Sequence, residues 1–325
     1  MSLFKVFITR PLPRAAVERI ATRCEVTMNP EDARLPPAQV AAACRDVDGL
    51  VLVSTPVTEE ILEHAPHLRV ISTVGVGYDN IDVAACTRRG ILVTHTPTAV
   101  TEATADLSFS LLLAVARRVV EADRFVRDGH WHFWTFGCMW GTDVAGKTLG
   151  IYGFGRIGQS VARRARGFSM RILYYSLDRP TPEREHELGA QFVDRETLLR
   201  EADFLSLHVP LTPETHHLMG APQLALMKPS AFLINTSRGK VVEEAALVEA
   251  LQSKRIAGAG LDVFEFEPRI HPALLAMPNV VVTPHMGTAT GETRLAMAMS
   301  ATDNLLAALA GERPPNLVNP ETWRK

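Results

Sequence analysis

One stretch constrains the fold more than any other. Gly150-Ile151-Tyr152-Gly153-Phe154-Gly155-Arg156-Ile157-Gly158 closes an apolar run with Gly-x-Gly-x-x-Gly, and a helix-forming stretch from Gln159 to Arg166 follows. This is the strand, tight turn and helix start that receives a dinucleotide pyrophosphate. Gly153 permits the turn, and Gly155 lets backbone N–H groups approach the phosphates. Gly158 lets the helix pack closely on the strand, while Arg156 and Ile157 open the helix whose positive end faces the ligand. A second apolar strand, Arg171 to Tyr175, follows at crossover distance, which is the context the motif requires.

The rest of the 325-residue chain repeats that alternation. Its length suggests two domains. Strands are predicted at Val6 to Thr9, Gly49 to Val53, Val70 to Val74, Ile91 to Thr94, Leu149 to Tyr152, Arg171 to Tyr175, Phe204 to His208, Ala231 to Asn235, Ala257 to Leu261 and Val280 to Thr283. Helix-like stretches separate them, so the pattern implies α/β architecture with parallel sheets covered on both faces. Four strands precede the glycine motif and form a separate domain, residues 1–99; residues 100–287 form the cofactor domain. A helix begins at Thr101, with Leu107, Leu111, Ala114 and Val115 at helical spacing and apolar residues on its other sides too, which implies burial. The final helix, Thr293 to Ala310, has no evident packing site in the cofactor domain, so residues 288–325 are expected to return to the first.

Net charge is −2 with no long run of either sign, which points away from nucleic acid and anionic membranes toward small metabolites. Cys24, Cys44, Cys86 and Cys138 lack metal-ligand spacing and suit reduced thiols in a cytoplasmic protein. The start has too short an apolar run for a signal peptide, and no bound metal is expected. Trp131, Phe133, Trp134, Phe136 and Trp140 crowd one segment; packing, within the fold or across a dimer contact, is favoured over a lid on the substrate.

Three ionisable residues follow strands in the last third: Arg238 after Phe232 to Asn235, Glu267 after Ala259 to Leu261, and His285 after Val280 to Thr283. Open α/β sheets bind ligands at the carboxyl edge of their strands. A guanidinium can hold a carboxylate and polarise the adjacent carbonyl. An imidazole can deliver a proton as charge develops on the oxygen, and a neighbouring carboxylate favours its protonated form. Together they suit hydride transfer to an α-keto acid. Gly75-Val76-Gly77, after Val70 to Val74, is either a backbone anion cradle or a plain strand-to-helix turn.

These blocks, with TEATADLSFSLLLA at 101–114, LHVPLTPET at 207–215, NTSRGKVV at 235–242, AGLDVFEFEP at 259–268 and TPHMGTAT at 283–290, resemble the D-isomer-specific 2-hydroxyacid dehydrogenases over nearly the whole chain. Within that family the aromatic segment and the residues after His285 are most similar to glyoxylate and hydroxypyruvate reductases. The resemblance implies a flavodoxin-like substrate domain, a Rossmann cofactor domain, a cleft between them and a homodimer. It implies Arg238 in substrate binding, His285 in acid–base work and Glu267 in tuning His285. It also implies Val76 and Gly77 as carboxylate ligands through backbone N–H groups, and Thr101 and Asp262 near a nicotinamide. At the end of the second strand Ser176 stands where NAD-preferring members carry a carboxylate, so Ser176 and Arg179 suggest a modest preference for NADPH with NADH possible. Asp178 beside them and Leu177, where NADP-preferring members often have arginine, weigh against it. Other 2-keto acids such as 2-ketogluconate, and a non-catalytic cofactor-sensing role like that of a corepressor, are the alternatives.

Overall fold

The computed structural model describes residues 3–323. The chain divides into two compact units, Met1–Val100 with Thr288–Lys325, and Thr101–Gly287.

In the first unit β1 (Phe4–Ile8), β2 (Cys24–Met28), β3 (Gly49–Leu52), β4 (Val70–Thr73) and β5 (Leu92–Thr94) form a parallel sheet in the order β2-β1-β3-β4-β5. Successive side chains alternate between faces. Leu50, Leu52, Ile71 and Val93 meet Val40, Ile61, Ile81 and Cys86 on one side, while Val6, Ile8, Val51 and Val70 meet Ile20, Leu305 and Leu309 on the other. The central strand β3 reads as an unbroken apolar run because both its faces are covered, and in β4 the buried Ser72 and Thr73 hydroxyls donate to backbone carbonyls. Leu305 and Leu309 belong to the helix Gly291–Leu309, capped by the Thr290 hydroxyl. That helix lies so close over the sheet that a Cβ at Gly49 would stand 2.8 Å from Leu305. The Ser72 hydroxyl, inside the sheet, donates to Ala301 O at 2.8 Å.

In the second unit β6 (Thr148–Tyr152), β7 (Arg171–Tyr175), β8 (Ala190–Phe192), β9 (Phe204–Leu207), β10 (Phe232–Asn235), β11 (Gly258–Leu261) and β12 (Val280–Val282) form a parallel sheet ordered β12-β11-β10-β9-β6-β7-β8. The chain builds outward from β6 to β8, then crosses back to β9 and builds the other way. The order therefore reverses between β6 and β9, and ligand crevices open at such a switch point. The helix Thr101–Ala116 buries Phe109, Leu111, Leu112 and Val115, and Gly260 lets it approach β11, a Cβ there standing 3.0 Å from Leu111. Its first turn is tied to the helix Arg156–Arg166, where Glu102 accepts hydrogen bonds from Ser160, Arg163 and Arg164.

Two strands escape the apolar pattern, β2 and β8. Both are sheet edges and only one residue of each, Cys24 and Ala190, is buried, so polar residues such as Glu25, Thr27 and Gln191 are accommodated among the other positions.

Candidate active site

The carboxyl edge of the seven-stranded sheet gathers the ionisable residues. After β10 the buried Asn235 organises the turn: its Oδ1 accepts from the Ser237 N–H and hydroxyl, and its Nδ2 donates to Arg238 O at 3.0 Å. Arg238 follows half-buried, its Nη1 donating to Ser237 O at 2.8 Å. Next comes Gly239, packed so tightly that a Cβ would overlap the Phe264 carbonyl. Only glycine lets the β10 turn and the loop after β11 meet backbone to backbone.

That second loop carries Glu267. Its Oε1 accepts from Phe264 N at 3.0 Å, and its Oε2 lies 2.9 Å from Nδ1 of His285. Partial burial pushes the Glu267 pKa up, but the His285 hydrogen bond and charge, the Phe264 N–H and the Arg238 charge more than offset it, leaving it below the ordinary carboxylate value. A carboxylate accepts, so Nδ1 carries the hydrogen and Nε2 is left facing outward on a half-exposed ring. His285 sits at φ +52°, a left-handed conformation unusual for a side chain with a Cβ. Its N–H donates to Asp262 O at 2.8 Å.

Asp262 holds the remainder of that loop. Its carboxylate accepts from the Thr283 hydroxyl at 2.6 Å and from the Met286 and Gly287 N–H groups at 2.8 Å each. Burial raises its pKa from the ordinary aspartate value in spite of these donors. Both oxygens are therefore occupied in shaping the His285 turn, a role its strand-end position did not disclose.

The glycine turn fits a dinucleotide. Gly153 is at φ +91°, and a Cβ would stand 2.6 Å from the His208 carbonyl; a Cβ on Gly158 would overlap the Gly153 carbonyl. Gly155, at the helix N-terminus, has open space where a side chain would project and no side-chain cap, so the N–H groups of the first turn face outward. Arg156 is exposed and Ile157 half-buried on that turn. The buried Thr101 hydroxyl has no hydrogen-bond partner, an orphan that a bound polar group would satisfy.

In the first unit, Val76 and Gly77 follow β4. Among the described residues no carbonyl accepts from their N–H groups. His95, unremarkable in the sequence, fixes this turn: its Nδ1 donates to Val76 O at 2.9 Å, and Thr96 N donates to Gly75 O at 2.8 Å. Its only sequence signal was its place one residue past β5, beside β4 in the sheet.

Two further observations concern residues singled out from the sequence. Arg179 is ion-paired to Glu185 at 2.8 Å and lies over the Phe192 ring, while Ser176 is half-buried just past β7. The five aromatic side chains from Trp131 to Trp140 are 57–78% exposed, so packing inside their own unit does not account for them. The segment carries little regular structure and is held by contacts such as Trp140 Nε1 to Phe136 O at 2.6 Å.

A dinucleotide turn at the switch point of a parallel sheet, with an imidazole–carboxylate pair on the same edge, defines a nicotinamide-dependent α/β oxidoreductase. Residues 109–287 match the family model of the D-isomer specific 2-hydroxyacid dehydrogenase, NAD binding domain, and the chain belongs to that family. It is 54% identical over 321 residues to the glyoxylate reductase of Thermococcus litoralis, an alignment covering 97% of this chain and 96% of that one. A glyoxylate reductase from Paecilomyes thermophila superposes with a TM-score of 0.89 at 35% identity, covering 99% of this chain and 100% of that one. An NADPH-dependent glyoxylate/hydroxypyruvate reductase from Sinorhizobium meliloti, solved with NADP and malonate, gives a TM-score of 0.89 at 34% identity, covering 100% and 99%. No helix among the described residues is long and apolar enough to cross a membrane.

Proposed function

We propose that this protein reduces glyoxylate and hydroxypyruvate to glycolate and D-glycerate, with NADPH modestly preferred over NADH. The observation that carries the chemistry is the 2.9 Å contact between His285 Nδ1 and Glu267 Oε2 on the edge that also bears Arg238 and the glycine turn. The relatives named above are glyoxylate and glyoxylate/hydroxypyruvate reductases, which supports the choice of substrate.

In this reading the Arg238 guanidinium draws charge from the substrate carbonyl and holds its carboxylate, with the Val76 and Gly77 N–H groups as further carboxylate ligands. A bound reduced nicotinamide supplies the hydride. His285 gives the proton from Nε2 to the carbonyl oxygen, and Glu267 keeps the ring oriented through Nδ1 while balancing its positive charge. Thr101, Gly153, Gly155, Arg156, Ile157, Gly158 and Ser176 are assigned to the cofactor, and Asp262 to the His285 turn beside it. The exposed aromatic segment is assigned to the contact between two copies in a homodimer, because so large an apolar surface is unusual on a monomer.

A panel of 2-keto acids assayed with NADH and NADPH tests the proposal. Glyoxylate and hydroxypyruvate should give the highest kcat/KM. A higher value for a bulkier acid such as 2-ketogluconate would reassign the substrate, and tight cofactor binding without turnover would favour a sensor. A tenfold preference for NADH would overturn the cofactor assignment.

A further inference from the structure

We infer that Glu185 sets the cofactor preference of this protein by withholding Arg179 from the 2′-phosphate of NADP(H); the inference rests on the nicotinamide-dependent reading above. The argument starts at the end of β7. Tyr175 of β7 pairs with Tyr152 of β6, and Gly153 N donates to Tyr175 O at 2.8 Å, so residues just past Tyr175 border the glycine turn. In dinucleotide folds the second strand ends beside the adenosine ribose, where a carboxylate selects the 2′-hydroxyl and a cation the 2′-phosphate. Here Ser176 supplies a small hydroxyl and Leu177, 85% exposed, supplies no charge. Discrimination therefore passes to the charged groups beyond them.

Arg184 is already engaged, donating to Gln159 Oε1 at 3.0 Å and pairing with Glu187 at 2.6 Å. Arg195 is likewise engaged, its guanidinium carbon 5.0 Å from the Tyr175 ring centroid, and Arg179 is held from two sides. Its Nη2 lies 2.8 Å from Glu185 Oε1, and its guanidinium carbon stands 4.4 Å above the Phe192 ring centroid. The two partners differ in freedom: the Glu185 side chain is 17% exposed and Arg179 53%. Glu185 is anchored underneath by a short hydrogen bond from the Tyr174 hydroxyl. Tyr174 in turn is fully buried and stacks on Phe154 of the glycine turn, with centroids 4.0 Å apart and planes at 18°. Burial, and after it Glu185, raises the Tyr174 pKa to about 12, so the phenol stays a donor and Glu185 stays its acceptor.

The carboxylate is thus the fixed member and the guanidinium the movable one. A 2′-phosphate must compete with Glu185 for Arg179 while being repelled by the Glu185 charge. NADH meets neither obstacle. The consequence is a preference for NADPH weaker than a free arginine would give.

Glu185→Gln removes the charge and keeps an oxygen for the Tyr174 hydroxyl. The kcat/KM ratio for NADPH over NADH should rise about fivefold, the size of an exposed ion pair, and the gain should shrink at high salt. Calorimetric titration with adenosine 2′,5′-bisphosphate should show tightening by a similar factor, with 5′-AMP as the control. Adding Arg179→Ala should abolish both gains. An unchanged ratio and unchanged bisphosphate affinity would overturn the inference, and a fall would mean that Glu185 instead orients Arg179 toward the phosphate. A wild-type protein that binds neither NADH nor NADPH would refute the underlying reading, a different outcome from a variant whose ratio does not move.

Discussion

Replacing Asp262 with asparagine separates the shape of the His285 turn from the stability of the fold. The Asp262 side chain is 1% exposed, and three donors converge on it. Thr283 and Met286 donate to one oxygen and Gly287 to the other. An amide placed to keep the first two would turn its NH2 toward the Gly287 N–H, leaving two donors face to face. A buried donor left unsatisfied costs about 1–3 kcal/mol. Against that stands the removal of a buried charge. Burial raises the folded pKa of Asp262 above its ordinary value, so its stabilising contribution is complete below the unfolded pKa, about 3.9, and is lost as pH rises through the folded one. At neutral pH the ionised group is a net cost, which the neutral amide relieves. The net loss should stay below about 2 kcal/mol, a fall in Tm of at most about 8 °C for a unit of this size. Activity should suffer more. His285 holds a left-handed backbone, and its turn depends on the bond lost at Gly287; misplacement of the imidazole by about 1 Å costs on the order of 10²-fold in rate. Single-turnover kinetics with glyoxylate, read beside thermal denaturation, make the comparison. A variant within threefold of wild-type rate would refute the claim that Asp262 shapes the turn.

Other expectations are simpler. His285→Ala should lower kcat by about 10² or more, and an unchanged pH–rate profile in that variant would remove the proton-donor role. Arg238→Ala should mainly damage keto-acid binding and carbonyl polarisation; a wild-type kcat/KM would take Arg238 out of the site. Glu102 is held to a pKa of about 2, chiefly by the Arg163 hydrogen bond. Its depressed folded pKa means stability that is present above the unfolded carboxylate value and lost as pH falls toward 2. The side chain is 57% exposed, so the contribution should be under about 1 kcal/mol. Urea denaturation of Glu102→Gln between neutral and acid pH should show a slightly flatter acid limb, and identical limbs would remove the effect.

The interior of both sheets was legible because strands covered on two faces are predominantly apolar, as in β3, β6, β9 and β10, where only Thr148, Ser206 and Asn235 interrupt the run. The edge strands β2 and β8 were not, since half their positions face water and their apolar signal is diluted. In the candidate site, Gly153, Gly155 and Gly158 announce themselves because a side chain at Gly153 or Gly158 would meet backbone. Arg238, Glu267 and His285 are conspicuous as charges at strand ends. His95, Gly239 and Asn235 carry no such mark, because each acts by meeting a segment remote in sequence or by shaping its own turn.

The sequence by itself determined the periodicity of alternating strands and helices, the glycine turn and the chemical types at the sheet edge, all local properties of neighbouring residues. Only the tertiary structure decided which partners those groups have: that Glu267 meets His285, that Asp262 spends both oxygens on the following turn, and that Arg179 is held by Glu185. The physical reason is that a charge's effect depends on distance and burial, and across separate strand-end loops those follow from how the sheet brings its edges together rather than from spacing along the chain.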